Sequence, residues 1–218
     1  NFQLRLPKAE KEKLKAPSTF KKKELKYVVE DYSYWKNRNV SSQTLKLFES
    51  GVMRDGKMKD RYVFPIFDKR NNFIGAAGRD ITGKQALKWK LLGEKRFWAY
   101  PLKYNLKYLL AEKEVYLVES IGDMLALWEA GIKNCIVTFG LAITSKTKQV
   151  LMVIDPKKIY ISFNNDENQA GNTAARKAYD NLRRQFDVSQ LEIKLPSEND
   201  FGCMSKGEII KWQSQRKT

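Results

Sequence analysis

Glu119, Asp166 and Asp200 are far apart in the chain but share one local context, because each follows an apolar, strand-like run. Glu119 ends Val115-Tyr116-Leu117-Val118. Asn164, Asn165 and Asp166 follow Ile159-Tyr160-Ile161-Ser162-Phe163, and Asp200 follows the run from Leu191 to Leu195. Carboxylates gathered at one place repel one another unless a cation neutralises them, so the set points to a divalent metal. Asp123, one helical turn beyond Glu119, can join it, and Asn164 can add a neutral carbonyl oxygen. The competing account is that each acid caps the helix that follows it, and Asp123 is placed to do so. The chain contains no histidine and only two cysteines, Cys135 and Cys203. That excludes His-based nucleophile pairs and a zinc site, and leaves Mg2+ or Mn2+ on oxygen donors.

A second set of residues is basic. Residues 1–110 hold 26 Lys and Arg against 11 Asp and Glu, whereas residues 111–218 hold 15 against 14. Nearly all of the net +16 therefore sits in the first half. Solubility and a lysine-rich tail would explain part of it. The excess continues among apolar strands, however, which favours contact with nucleic acid or nucleotides. Arg61, Arg79, Lys88 and Lys90 are the candidates for phosphate. Trp89 and Trp98 either stack on bases or pack in the core. The segment Gly78-Arg79-Asp80-Ile81-Thr82-Gly83-Lys84 spells most of a P-loop, but Gln85 stands where the Mg2+-binding hydroxyl belongs. It reads as a hairpin end and loop.

The elements that must position these residues follow two rhythms. Residues 1–24 form a basic linker, residues 25–110 a basic subdomain and residues 111–218 the metal-binding domain. A helix is expected over residues 24–35. A second, over residues 43–48, is capped by Ser41 or Ser42 and closed by Gly51. Residues 61–68 form a strand whose Pro65 calls for an edge or a bulge. Asn71-Asn72 turns the chain into a second strand over residues 73–79, and a third lies near residues 88–91. From Glu114, strands and helices alternate, which predicts an α/β fold with a mostly parallel sheet covered on both faces, α+β over the whole chain. Ligands bind such sheets at the carboxyl ends of the strands. No apolar run is long enough to span a bilayer, so a cytoplasmic protein with no membrane partner is expected. Asn1 at the start suggests a fragment.

Three segments carry a resemblance: Val118-Glu119-Ser120-Ile121-Gly122-Asp123, the stretch from Phe163 to Gly171, and Asn199-Asp200. They are similar to the three acidic motifs of the TOPRIM domain. Arg61 to Asp68, Gly75, Gly78-Arg79 and Lys88-Trp89 resemble the basic subdomain of DnaG-type primases, bacterial or phage. The resemblance spans roughly Tyr32 to Trp212. It implies a primase core that makes RNA primers from NTPs on single-stranded DNA, using two or more divalent ions. Glu119, Asp166 and Asp200 would be catalytic, with Asp123 and Asn164 as further metal ligands. A replicative helicase and a zinc module would lie elsewhere. Three positions depart from the family: Ser120 replaces the usual glycine, Asn164 the usual aspartate, and Cys203 an acid found in many relatives. Asn164 removes a charge and favours one alternative, a single-strand-binding or replisome-docking module with a degenerate site; a TOPRIM nuclease is the other alternative.

Overall fold

The computed structural model describes residues 17–167 and 169–215. Most of the expected linker, and Asn168, lie outside the described residues. The first half forms a five-stranded antiparallel sheet in sequence order: β1 (Val28–Val29), β2 (Gly51–Met53), β3 (Arg61–Phe67), β4 (Phe73–Asp80) and β5 (Trp89–Gly93). The β3–β4 hairpin forms as its sequence predicts. Asp68 accepts hydrogen bonds from the backbone N–H groups of Arg70 and Asn72, and Asn71 takes the left-handed conformation at φ 61°. Both expectations for Pro65 are met nearby. β2 pairs only with Arg61 to Val63, so one side of β3 is open beyond Val63, and the register shifts at Ile66/Phe67.

Two expectations are corrected. Residues 24–35 are not one helix. A 3-10 turn (Lys22–Tyr27) leads into β1, and only Ser33–Lys36 is helical (α1). The β-branched pair Val28-Val29 finds β2 as a partner, and that pairing outweighs local helix preference. The second helix, α2 (Ser42–Leu47), is capped by Ser41 as expected, but Gly51 does not close it. Gly51 opens β2, where a Cβ would lie 2.3 Å from the carbonyl oxygen of Val29.

The second half is a four-stranded, all-parallel sheet of β6 (Glu114–Val118), β7 (Cys135–Val137), β8 (Lys158–Ile161) and β9 (Leu191–Ile193), in the order β7-β6-β8-β9. Before it comes α3 (Leu102–Glu112), a helix the sequence reading missed. It covers the β7 edge, where Asn105 Nδ2 donates to the carbonyls of Lys133 (3.0 Å) and Cys135 (2.7 Å). The crossover helices are α4 (Ile121–Glu129), α5 (Ser145–Ile154) and α6 (Ala170–Leu182), and α7 (Lys206–Ser214) follows β9. Alternation along β6 sends Tyr116 and Val118 toward α4 and α7, and Val115 and Leu117 toward α5 and α6. Both faces are covered, as the strand–helix rhythm predicts. No helix among the described residues is long and apolar enough to cross a membrane.

The core on the α4–α7 face continues without a break into the first sheet through Trp35, Phe48, Tyr62, Phe64 and Trp98. Phe48 sits at the join, with ring centroids 4.9 Å from Trp128 and 5.1 Å from Tyr104. Phe48→Ala should cost about 3–5 kcal/mol, seen in urea unfolding as one transition at a lower midpoint. Two separate transitions in the wild type would show instead that the sheets unfold independently.

Candidate metal centre and nucleic-acid interface

All four parallel strands end at one edge, and β6, β8 and β9 are neighbours there. Glu119 directly follows β6, Asn164 and Asp166 follow β8, and Asp200 opens the 3-10 turn Phe201–Cys203 after β9. Burial, and then the charges of Asp166 and Asp200, push the Glu119 carboxyl above its ordinary pKa, while an N–H bond from Asn164 pulls it down. Glu119 Oε2 is buried with no hydrogen-bond partner. A buried, unpartnered carboxylate oxygen within electrostatic reach of two further acids suits a hard cation. The acids do not form a closed cage, since no group of three among the described residues is close enough to hold one ion. Mg2+ sites are commonly of this open kind, with one or two carboxylates completed by water and substrate phosphate.

Asp123 is not an open ligand, contrary to the expectation that it joins the metal set. It is 2% exposed and both of its oxygens are occupied. Oδ2 accepts from the Ser120 N–H (3.1 Å) and hydroxyl (2.7 Å), and Oδ1 accepts from the Phe201 N–H (3.3 Å). With Ser120 it forms a capping box at the start of α4, so the capping account holds for this acid. Asp200 also caps, accepting from the Cys203 N–H at 2.9 Å. The Cys203 thiol donates to Asp200 as well, and that bond, more than burial, holds the thiol pKa up. Asn165 is anchored behind the loop, its N–H on Asn199 O at 2.8 Å. Gly171 is needed here because a Cβ would fall 1.9 Å from the carbonyl oxygen of Asn164.

The basic candidates do not form one patch. Arg61 is 2% exposed and its Nη1 donates to Gly78 O at 3.1 Å, so it braces the sheet and is not available to a ligand. Strand alternation puts Arg79 and Trp89 on one face and Lys88 and Lys90 on the other. Lys90 Nζ donates to Lys57 O (2.9 Å). Arg79 Nε donates to the Tyr34 hydroxyl (3.0 Å), and its guanidinium carbon lies 5.6 Å from the Trp89 ring centroid. The exposed Arg38 covers the Tyr34 ring at 3.9 Å. Tyr34 and Arg38 were missed from sequence, where their one-turn spacing in the basic half is the only signal. Trp98 is 1% exposed and belongs to the core. Lys95 donates to Phe139 O (3.1 Å), and the next residue, Gly140, donates to Glu119 O (3.1 Å). The basic half thus delivers a cation to the acid-bearing edge.

Residues 116–202 match the Toprim-like family model. The DNA primase of Borreliella burgdorferi is 32% identical over 190 residues, which cover 84% of this chain and 35% of that protein. A DNA primase of Helicobacter pylori is 32% identical over 145 residues, covering 61% of this chain and 25% of that protein. The chain therefore spans about a quarter to a third of the length of these relatives. The structure described as the DnaG primase catalytic domain bound to ssDNA superposes with a TM-score of 0.69 at 19% identity, covering 86% of this chain and 71% of that one. This chain is a core of the DnaG primase type carrying a Toprim-like domain.

Burial pushes the Asp123 carboxyl up to about 7, helped by the charges of Asp200 and Glu119 against the bonds from Ser120. In the unfolded chain this group ionises near its ordinary 3.8. The native state therefore holds the proton longer, and stability falls as pH rises through the interval between the two values. In metal-free buffer the loss from about pH 5 to pH 7 should be about 2–3 kcal/mol in urea melts. Asp123→Asn should flatten that dependence, and a wild-type midpoint that rises over the same interval would refute it. Gly171→Ala should cost about 1–3 kcal/mol, because the residue 164–167 loop has to move. Thermal melts would show it.

Proposed function

We propose that this chain is the catalytic core of a DNA primase, joining ribonucleotides into short primers on a single-stranded DNA template. The observation that carries the reading is the buried, unpartnered Glu119 Oε2, coupled to Asp166 and Asp200 at the edge that Lys95 reaches from the basic half. Glu119, Asp166 and Asp200 would hold Mg2+ or Mn2+, with the Asn164 amide oxygen as a neutral donor. When bound, such ions neutralise a triphosphate and acidify the attacking 3′-hydroxyl. Glu119, its carboxyl shifted upward, is suited to accept that hydroxyl's proton. Arg79 and Arg38 would hold template phosphates, with Tyr34 and Trp89 offering ring faces to bases. Lys88 and Lys90 lie on the opposite face, where they would serve a different stretch of strand or an incoming NTP.

A second reading is favoured by Asn164 and by the open arrangement of the acids: a single-strand-binding or replisome-docking module without catalysis. Primer synthesis from labelled NTPs on single-stranded DNA with Mn2+ separates the two. Asp166→Ala and Asp200→Ala should lower synthesis by about 100-fold or more, as loss of direct electrostatic stabilisation does. Arg79→Ala should weaken template binding about uniformly across sequences and reduce its salt dependence. If wild type and Asp166→Ala make the same amount of primer, the catalytic reading fails. Strand binding without any synthesis would favour the module.

A further inference from the structure

Trp35 lies on α1, a single turn of helix, and is 5% exposed. The groups assigned above to the template strand converge on it. Tyr34 precedes it, with ring centroids 5.3 Å apart. The Trp35 carbonyl accepts from the Arg38 N–H at 2.9 Å. The Trp89 ring stands 6.4 Å away, and Arg79 is fixed between Tyr34 and Trp89. The indole also meets Tyr62 and Phe64 of β3, at 6.2 and 5.8 Å, so it is seated on the first sheet.

The far edge of the same indole lies against α4, the helix that starts directly after Glu119. A Cβ on Gly122 would stand 3.7 and 3.9 Å from Cη2 and Cζ3 of Trp35, so the ring rests on bare backbone in the first turn of α4. Gly122 is three residues beyond Glu119. The other end of α4 is held by the segment that follows α1, where the Ser41 N–H (3.1 Å) and hydroxyl (2.9 Å) donate to Glu129. Hydrogen bonding does not explain a tryptophan at position 35. Its indole N–H is buried with no partner among the described residues, a cost that phenylalanine would not carry. Reach explains it. The atoms that meet Gly122 are the outermost of the indole, and a phenylalanine ends short of them.

We infer that Trp35 is a positioning residue for primer synthesis, holding the template-binding face of the first sheet in register with Glu119. Buried as it is, its side chain meets neither strand nor ion. A close-packed aromatic has one seat, so displacing it displaces the groups on both sides. The role in synthesis rests on the primase reading, whereas the register does not.

Pulsed electron paramagnetic resonance measures the register. Nitroxides go on Arg38→Cys and on the exposed Cys203 beside Asp200, while the buried Cys135 stays unlabelled. Trp35→Phe removes the reach, and Gly122→Leu wedges the ring from the other side. Each variant that still melts cooperatively should give a shifted or broadened distance. In the unlabelled chain, Trp35→Phe should lower kcat for primer synthesis by about tenfold or more, as a small misplacement of reacting groups does. Its affinities for oligothymidylate in EDTA and for Mn2+ should stay at the wild-type values. A residue that only stabilises the fold would not split kcat from affinity in this way. An unchanged distance in the folded variants overturns the inference. So does a wild-type kcat, or a loss confined to template affinity. If wild type itself makes no primer, the primase reading fails and the distance alone decides the register.

Discussion

Asp123 is buried beneath the carboxyl edge of the parallel sheet, and its two oxygens bind two separate segments. One oxygen closes the capping box that starts α4 directly after Glu119. The other takes the N–H of Phe201, directly after Asp200. A single carboxylate therefore fixes the end of β6 against the turn that follows β9, across the intervening β8. The distance between Glu119 and Asp200 depends on that link. The carboxyl that makes it is itself held near neutrality by burial, so the edge is shaped by a group that does not add its full charge to it.

The second constraint is the continuous aromatic core. Trp98 leaves the basic half and packs so closely over Gly75 that a Cβ there would lie 2.3 Å from its ring. Its ring also meets Phe139, just beyond β7, at 4.9 Å. The same segment carries Lys95 to the carbonyl of Phe139. Packing thus sets where the cations of the first sheet stand relative to the acids of the second.

Local pattern carried much of the fold. The β3–β4 hairpin, α4, α5 and the strand–helix alternation after Glu114 were all legible, because period and turn chemistry act within a few residues. A serine cap at Ser41 or Ser42 and the Asn71-Asn72 turn were legible for the same reason. Local pattern failed at Val28-Val29, at Gly51 and at α3. In the first two, a partner strand remote in sequence overrides local preference. In α3 the informative residue is Asn105, whose partners lie across the β7 edge.

The sequence by itself determined the donor chemistry: carboxylates without histidine, a basic half joined to a neutral one, and acids placed after successive strand-like runs. Side-chain type and the succession of strands and helices along the chain follow from composition and periodicity, which need no knowledge of contacts. Only the tertiary structure decided which of those groups face a ligand. Arg61 is turned inward, Asp123 is consumed as a tether, and Lys88 and Lys90 stand on the opposite face from Arg79 and Trp89. Tyr34, Arg38 and Lys95 are brought in from segments whose spacing says little. The reason is physical: orientation and burial depend on pairing register and on packing between remote segments, and neither is encoded within a single element.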